Sequence, residues 1–189
     1  DVCQRLYDFG YILARSGNIS QRIEKDQILI TPTRLRKHSL NYDDLCLLDL
    51  AGNKLKGDLN PSSEYRVHCA IYKNRPDVEA VVHAHPIYSI TASLAKISLD
   101  KPILPETALS LGPIPTIDYT PPGSQNLADS LVPYLAEHNA FIMQRHGVVA
   151  LGGDLEEAFD RLQEVEHAAT IAYSLSIKGK IPVLGRSDL

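Results

Sequence analysis

Val78-Glu79-Ala80-Val81-Val82-His83-Ala84-His85-Pro86 decides how the rest of the chain is read. A run rich in β-branched residues and stopped by proline predicts a strand over residues 78–85. Side chains at i and i+2 point to one face of a strand, so His83 and His85 present two imidazoles side by side. Neutral imidazoles at that spacing suit Zn²⁺ or a similar divalent ion. Taken alone, the pair reads equally as two polar residues at a strand end, facing solvent.

A third imidazole shifts that balance. His146 lies in Met143-Gln144-Arg145-His146-Gly147, inside a stretch, residues 140–151, that reads as one buried apolar strand closed by Gly152-Gly153. An unpaired imidazole inside such a strand is costly, so it needs a partner. Two strands of one sheet would bring His83, His85 and His146 together as a three-histidine site with a further position open.

The remaining pattern predicts helices at 2–14 (Leu6, Phe9 and Leu13 at helical spacing), 61–74, 87–95 and 124–138. A last long helix is capped by Asp154 with Glu157 three residues on, its apolar face formed by Leu155, Ala158, Leu162, Val165 and Ala169. Strands are predicted at 19–23, 27–31, 45–50 and 54–55, and a short one within 114–119 of an otherwise irregular proline-rich segment. Hairpins early in the chain and the lack of regular βαβ alternation point to an α/β fold, a single mixed sheet covered by helices on both faces.

The chain has 189 residues, 44% hydrophobic and 22% charged, with a formal net charge of −4. That is the balance of an ordinary soluble globular domain, and no linker divides residues 1–189. The acidic balance argues against a nucleic-acid groove, and no apolar run reaches the roughly 18 residues of a membrane span. Three cysteines (Cys3, Cys46, Cys69) without CxxC spacing read as small core residues in a reducing, cytoplasmic compartment.

Pro61-Ser62-Ser63-Glu64 stands where the second helix begins. A helix N-terminus offers free N–H groups and the positive dipole end, which suits a phosphate; it also reads simply as a cap. Glu64 is a candidate general base. Ser16-Gly17-Asn18-Ile19-Ser20 and Thr31-Pro32-Thr33 read either as anion-cradling turns or as plain connections. The ordered set SGNIS, TPT, PSSE, HAHP and RHG resembles the class II, metal-dependent sugar-phosphate aldolases, a superfamily that also holds 4-epimerases, dehydratases and the adducin head domains.

That resemblance spans nearly the whole chain and implies a three-layer α/β/α fold. It implies His83, His85 and His146 as zinc ligands, with Mn²⁺, Co²⁺ or Fe²⁺ as alternatives. Glu64 is implied as the acid that moves the proton at the substrate carbon, and Gly17, Asn18, Thr33, Ser62 and Ser63 as phosphate-binding positions. His38, His68, His138 and His167 match nothing and are taken as surface or packing residues. The implied reaction is cleavage of a ketose 1-phosphate to a metal-stabilised enediolate. Dehydration, decarboxylation and epimerisation share that chemistry, and a non-catalytic interaction domain stands as the alternative outside the enzymes. Arg34 occupies the place of a glycine in the fuculose-phosphate branch; an arginine is not expected to reproduce glycine's backbone there, but can clasp an anion bidentately. Glu106 stands nearest to that branch's tyrosine proton donor. It reads as an acid reaching a neighbouring subunit or as a solvated glutamate. The implied assembly is a homotetramer with active sites at subunit borders.

Overall fold

A computed structural model of the protein describes residues 1–185. Eight strands form one sheet: β1 (Asn18–Glu24), β2 (Gln27–Ile30), β3 (Cys46–Asp49), β4 (Lys54–Lys56), β5 (Ala80–Ala84), β6 (Thr116–Ile117), β7 (Ala140–Met143) and β8 (Gly147–Gly152). Their order is β4-β3-β2-β1-β5-β8-β7-β6. Every neighbouring pair is antiparallel except β6 with β7. The sheet is therefore mixed and largely antiparallel.

Among the described residues six α-helices cover it: α1 (Val2–Asp8), α2 (Tyr65–Asn74), α3 (Ile87–Leu94), α4 (Pro105–Ser110), α5 (Gln125–Leu131) and α6 (Leu155–Ser176). Alternation along the strands sorts side chains onto two cores. Ala80, Val82, Ala84, Val148 and Ala150 pack with residues of α1, α3 and α6, including Leu6, Ala92, Phe159 and Leu162. Val81, Val149, Leu151 and Phe141 pack on the opposite face with Val67 and Ile71 of α2 and Leu127 and Leu131 of α5. Central strands buried on both faces explain why β5 and β8 read as continuous apolar runs; every residue of each is buried. At roughly 25 cal/mol per Å² of apolar surface, these two cores are the main stabilising term.

Several element bounds differ from the sequence expectation. Helix α1 stops at Asp8, because Gly10 takes φ +72° and the chain turns back on itself. Leu6 is buried but Phe9 and Leu13 are exposed. The 124–138 helix ends as α5, with Ser124 as its cap, and passes through a tight turn at Val132–Tyr134 where Pro133 interrupts it. Helix α4 lies where only irregular chain was expected. Pro105 starts it, a position where the missing N–H costs nothing. Only Thr107 of its residues is buried, so no apolar periodicity marks it.

The largest departure is the 140–151 segment. It is two strands, β7 and β8, folded back on each other with Gln144-Arg145-His146 as the turn. His146 is thus a turn residue and not part of a strand. All three cysteines are free, Cys46 and Cys69 buried and Cys3 half-buried. Among the described residues, no helix is long and apolar enough to cross a membrane.

Candidate active site

The face of the sheet covered by α2 also carries the histidines. His83 follows Val81 by two residues on β5, so both point toward α2. His85 stands just beyond the strand, its backbone N–H donating to the Tyr11 carbonyl at 2.7 Å. His146 enters from the β7–β8 turn, where Arg145 adopts φ +62° and donates its N–H to Ser93 Oγ at 3.0 Å. Gly147 is required beside it. A Cβ there would collide with the Ala84 carbonyl and stand 2.9 Å from His85 Cδ2 and 3.1 Å from His83 Cε1. Together these elements bring one nitrogen of each histidine to within 4.8 Å of the others.

Glu64 faces the same point. It is the residue immediately before α2, one step outside the helix rather than inside it. Oε2 lies 3.0 Å from His83 Nε2 and accepts from Asn18 Nδ2 at 2.8 Å; Oε1 lies 3.1 Å from His146 Nε2. Oε1 accepts no hydrogen bond, although it is buried. Burial opposes the Glu64 carboxylate, yet His83, His146 and the Asn18 amide hold it well below the usual carboxylate range. For His83 burial pulls the other way from Glu64, and the carboxylate prevails: its pKa is raised. His85 is pushed down to about 3 and His146 to about 4, by burial first and by charge on His83 second.

The donor set fits a divalent metal ion. His83 Nδ1 donates to the Val148 carbonyl at 2.8 Å, which leaves Nε2 with its lone pair toward the cluster whenever the ring is neutral. His83, His85 and His146 could hold the ion, with the unsatisfied Glu64 Oε1 beside it. Imidazoles alone do not distinguish among zinc and its neighbours.

The expected anion-binding segments are neighbours in space. Ile19 and Thr31 exchange hydrogen bonds, Ser62 donates its N–H to the Thr31 carbonyl, and Thr33 donates to the Asn60 carbonyl. Gly17 takes φ +72°, and a Cβ on it would stand 2.5 Å from Ile12 Cγ2 and 2.9 Å from the His83 carbonyl. The hydroxyl of buried Ser62 accepts from the Glu64 N–H at 3.3 Å, so it serves the turn, whereas Ser63 is exposed and Thr33 half-buried. Asn18 is buried with its amide turned onto Glu64. Arg34 is exposed and, contrary to expectation, does adopt the glycine-like left-handed backbone, with φ +64°. Glu106 is exposed in the first turn of α4, and no hydrogen bond or ion pair joins it to the histidines or Glu64.

Sequence reading missed His68. It is fully buried on α2 and bonded to Asn18, not a detached packing residue. The signal that could have found it was its spacing: His68 stands one helical turn after Glu64, the N-cap residue of α2.

The chain is also similar to known proteins over most of its length. Residues 1–173 match the family described as Class II Aldolase and Adducin N-terminal domain. An L-fuculose phosphate aldolase of Methanococcus maripaludis is 35% identical over 175 residues, 93% of this chain and 94% of that protein. A 3-oxo-tetronate 4-phosphate decarboxylase of Haemophilus influenzae is 36% identical over 174 residues, 89% of this chain and 82% of the relative. Among solved structures, L-fuculose-1-phosphate aldolase from Thermus thermophilus superposes with a TM-score of 0.83 at 30% identity, covering 97% of this chain and 95% of that one.

Proposed function

This chain belongs to the class II aldolase and adducin N-terminal domain family, and from that premise we propose that it is a metal-dependent lyase cleaving or forming a short ketose phosphate related to fuculose 1-phosphate. The observation that carries this reading is the Glu64 carboxylate set 3.0 and 3.1 Å from two of three converging imidazoles. An interaction domain has no use for that cluster.

In this reading residues 1–189 act as one catalytic domain. His83, His85 and His146 hold Zn²⁺, with Mn²⁺, Co²⁺ or Fe²⁺ able to replace it. The bound ion supplies Lewis acidity toward the substrate's carbonyl and hydroxyl oxygens, and no Schiff-base lysine is needed. Glu64 takes the proton from the reacting carbon in the synthetic direction and returns it after cleavage. Gly17 lets the chain pass close behind His83; Thr33, Ser63 and Arg34 receive the phosphate, with Ser62 and Asn18 shaping that turn and Glu64. Glu106 delivers a proton to the site of a neighbouring subunit in a homotetramer. The setting is cytoplasmic, in keeping with three free cysteines.

Decarboxylation is the second reading, favoured by the 36% identity to a decarboxylase and by Arg34. Loss of CO₂ leaves the same electron pair next to a carbonyl as retro-aldol cleavage does. The exposed Arg34 guanidinium is suited to a second carboxylate or phosphate.

The test begins with metal content of protein purified without chelator or histidine tag. About one ion per chain, lost in His146→Ala, is expected. The loaded enzyme is then offered L-fuculose 1-phosphate and 3-oxo-tetronate 4-phosphate, with aldehyde and CO₂ release followed separately. Failure to take up Zn²⁺ would turn the assignment to the interaction domain.

A further inference from the structure

A line of four buried hydrogen bonds leads from α2 to Glu64. Tyr72 OH lies 2.9 Å from Ser20 Oγ, which lies 2.6 Å from His68 Nδ1; His68 Nε2 is 2.5 Å from Asn18 Oδ1, and Asn18 Nδ2 is 2.8 Å from Glu64 Oε2. Asn18 and Ser20 stand on β1 across from His83 and Val81, so both point at α2. His68, Ser20 and Asn18 are each at most 4% exposed.

Chemistry fixes every hydrogen in this line. A carboxylate only accepts, so Asn18 turns its amide N–H toward Glu64 and its oxygen toward His68. His68 must then donate from Nε2, which leaves Nδ1 to accept from the Ser20 hydroxyl. Ser20 has one hydrogen, already given, so Tyr72 donates to it. With His68 neutral, all four donors point toward Glu64, and no other arrangement satisfies every group. Burial holds His68 neutral, with a pKa pushed down to about 3.

The consequence bears on Glu64. Imidazole nitrogens that ligate a metal carry no proton to donate, so Asn18 is the remaining donor to Glu64 among the contacts described. We propose that His68 is a positioning residue that locks the Asn18 amide, tying down Glu64 Oε2 and leaving Oε1 as the oxygen that carries the proton. This rests on the reading of Glu64 as the proton carrier.

Two measurements test it. In protein labelled with [15N]histidine, long-range proton–nitrogen correlation at pH 7 should show His68 as the Nε2–H tautomer, with and without zinc. Its signal is identified by its disappearance in His68→Gln. A His68 protonated on Nδ1, or on both nitrogens, overturns the proposal. The second measurement is exchange of the carbon-bound hydrogen of dihydroxyacetone phosphate for deuterium by the zinc-loaded enzyme. His68→Leu should lower kcat about 10- to 100-fold with KM within about twofold and zinc stoichiometry unchanged. His68→Gln, whose amide N–H can stand where Nε2–H stood, should recover most of that loss. Unchanged exchange in His68→Leu, or equal losses in Leu and Gln variants that both fold and bind zinc, sinks the proposal. Should His68→Leu fail to fold, Ser20→Ala decides through the same nitrogen signals. Asn18 still requires Nε2–H, so the tautomer should persist while the Nδ1 resonance shifts on losing its hydrogen bond; a switch to Nδ1–H, or an unmoved Nδ1 resonance, counts against the line. Absence of exchange in the wild-type enzyme, by contrast, tells against the Glu64 reading itself and is seen before any variant is made.

Discussion

Glu64 Oε2 and His83 Nε2 lie 3.0 Å apart and buried, an ion pair whenever His83 is protonated, and this sets what a metal must displace. Glu64 raises the pKa of His83, so below that pKa His83 carries a proton, whereas burial favours the neutral forms of His85 and His146. Metal binding needs that proton gone. Affinity for Zn²⁺ should therefore rise about tenfold per pH unit until the raised pKa of His83 is passed, then level off. Calorimetry in two buffers of different ionisation heat should report about one proton released per ion near pH 6, and none would contradict the ion-pair picture. Glu64→Gln keeps the shape but removes the base. It should retain zinc while turnover falls about 10²- to 10⁴-fold. A Gln variant with near-normal turnover would remove Glu64 from the proton-transfer role. The residues of this cluster were legible because the HxH strand spacing stands among five ordered motifs that together carry the family resemblance, which histidine content alone would not have shown. The part played by His68 was not, since its partners Asn18 and Ser20 lie about 50 positions away in sequence.

At the level of elements, the β7–β8 hairpin shows where reading by hydrophobicity fails. Ala140–Met143 and Gly147–Gly152 are buried at every residue, so apolar residues continue on both sides of the turn and periodicity cannot mark it. Arg145 carries the sign of the reversal, φ +62°, in a residue type that sequence does not associate with it. The early β1–β2 and β3–β4 hairpins were legible, because polar and glycine-containing turns separate them. Gly147 then becomes an element-scale test. Its Cβ would meet the Ala84 carbonyl, which cannot yield without disturbing the β5–β8 pairing, and would press on the rings of His85 and His83. Gly147→Ala is expected to cost about 2–4 kcal/mol, lowering Tm by roughly 5–15 °C, and to weaken zinc binding. A variant as stable as wild type, with unaltered metal affinity, would show the hairpin to be more pliable than its packing indicates.

Over the whole molecule, one sheet flanked by two helical layers puts β1, β5 and the β7–β8 turn beside each other, so segments far apart in sequence converge on Glu64. The same layout leaves Leu109 81% exposed on α4, the helix that also carries Glu106. An exposed leucine next to an exposed acid, on a helix with no bond to its own subunit's histidines, is consistent with the proposed subunit border. Light scattering should then give four copies of the 20.9 kDa chain. Complementation distinguishes a shared site from a merely adjacent one. Glu106→Gln and His83→Ala are each expected to be nearly inactive alone. Unfolded gently together and reassembled at equal ratio, they should regain about a quarter of wild-type turnover, because that share of borders joins an intact histidine cluster to an intact Glu106. No recovery from well-formed mixed tetramers would confine every catalytic group to one subunit and leave Glu106 a solvated surface acid.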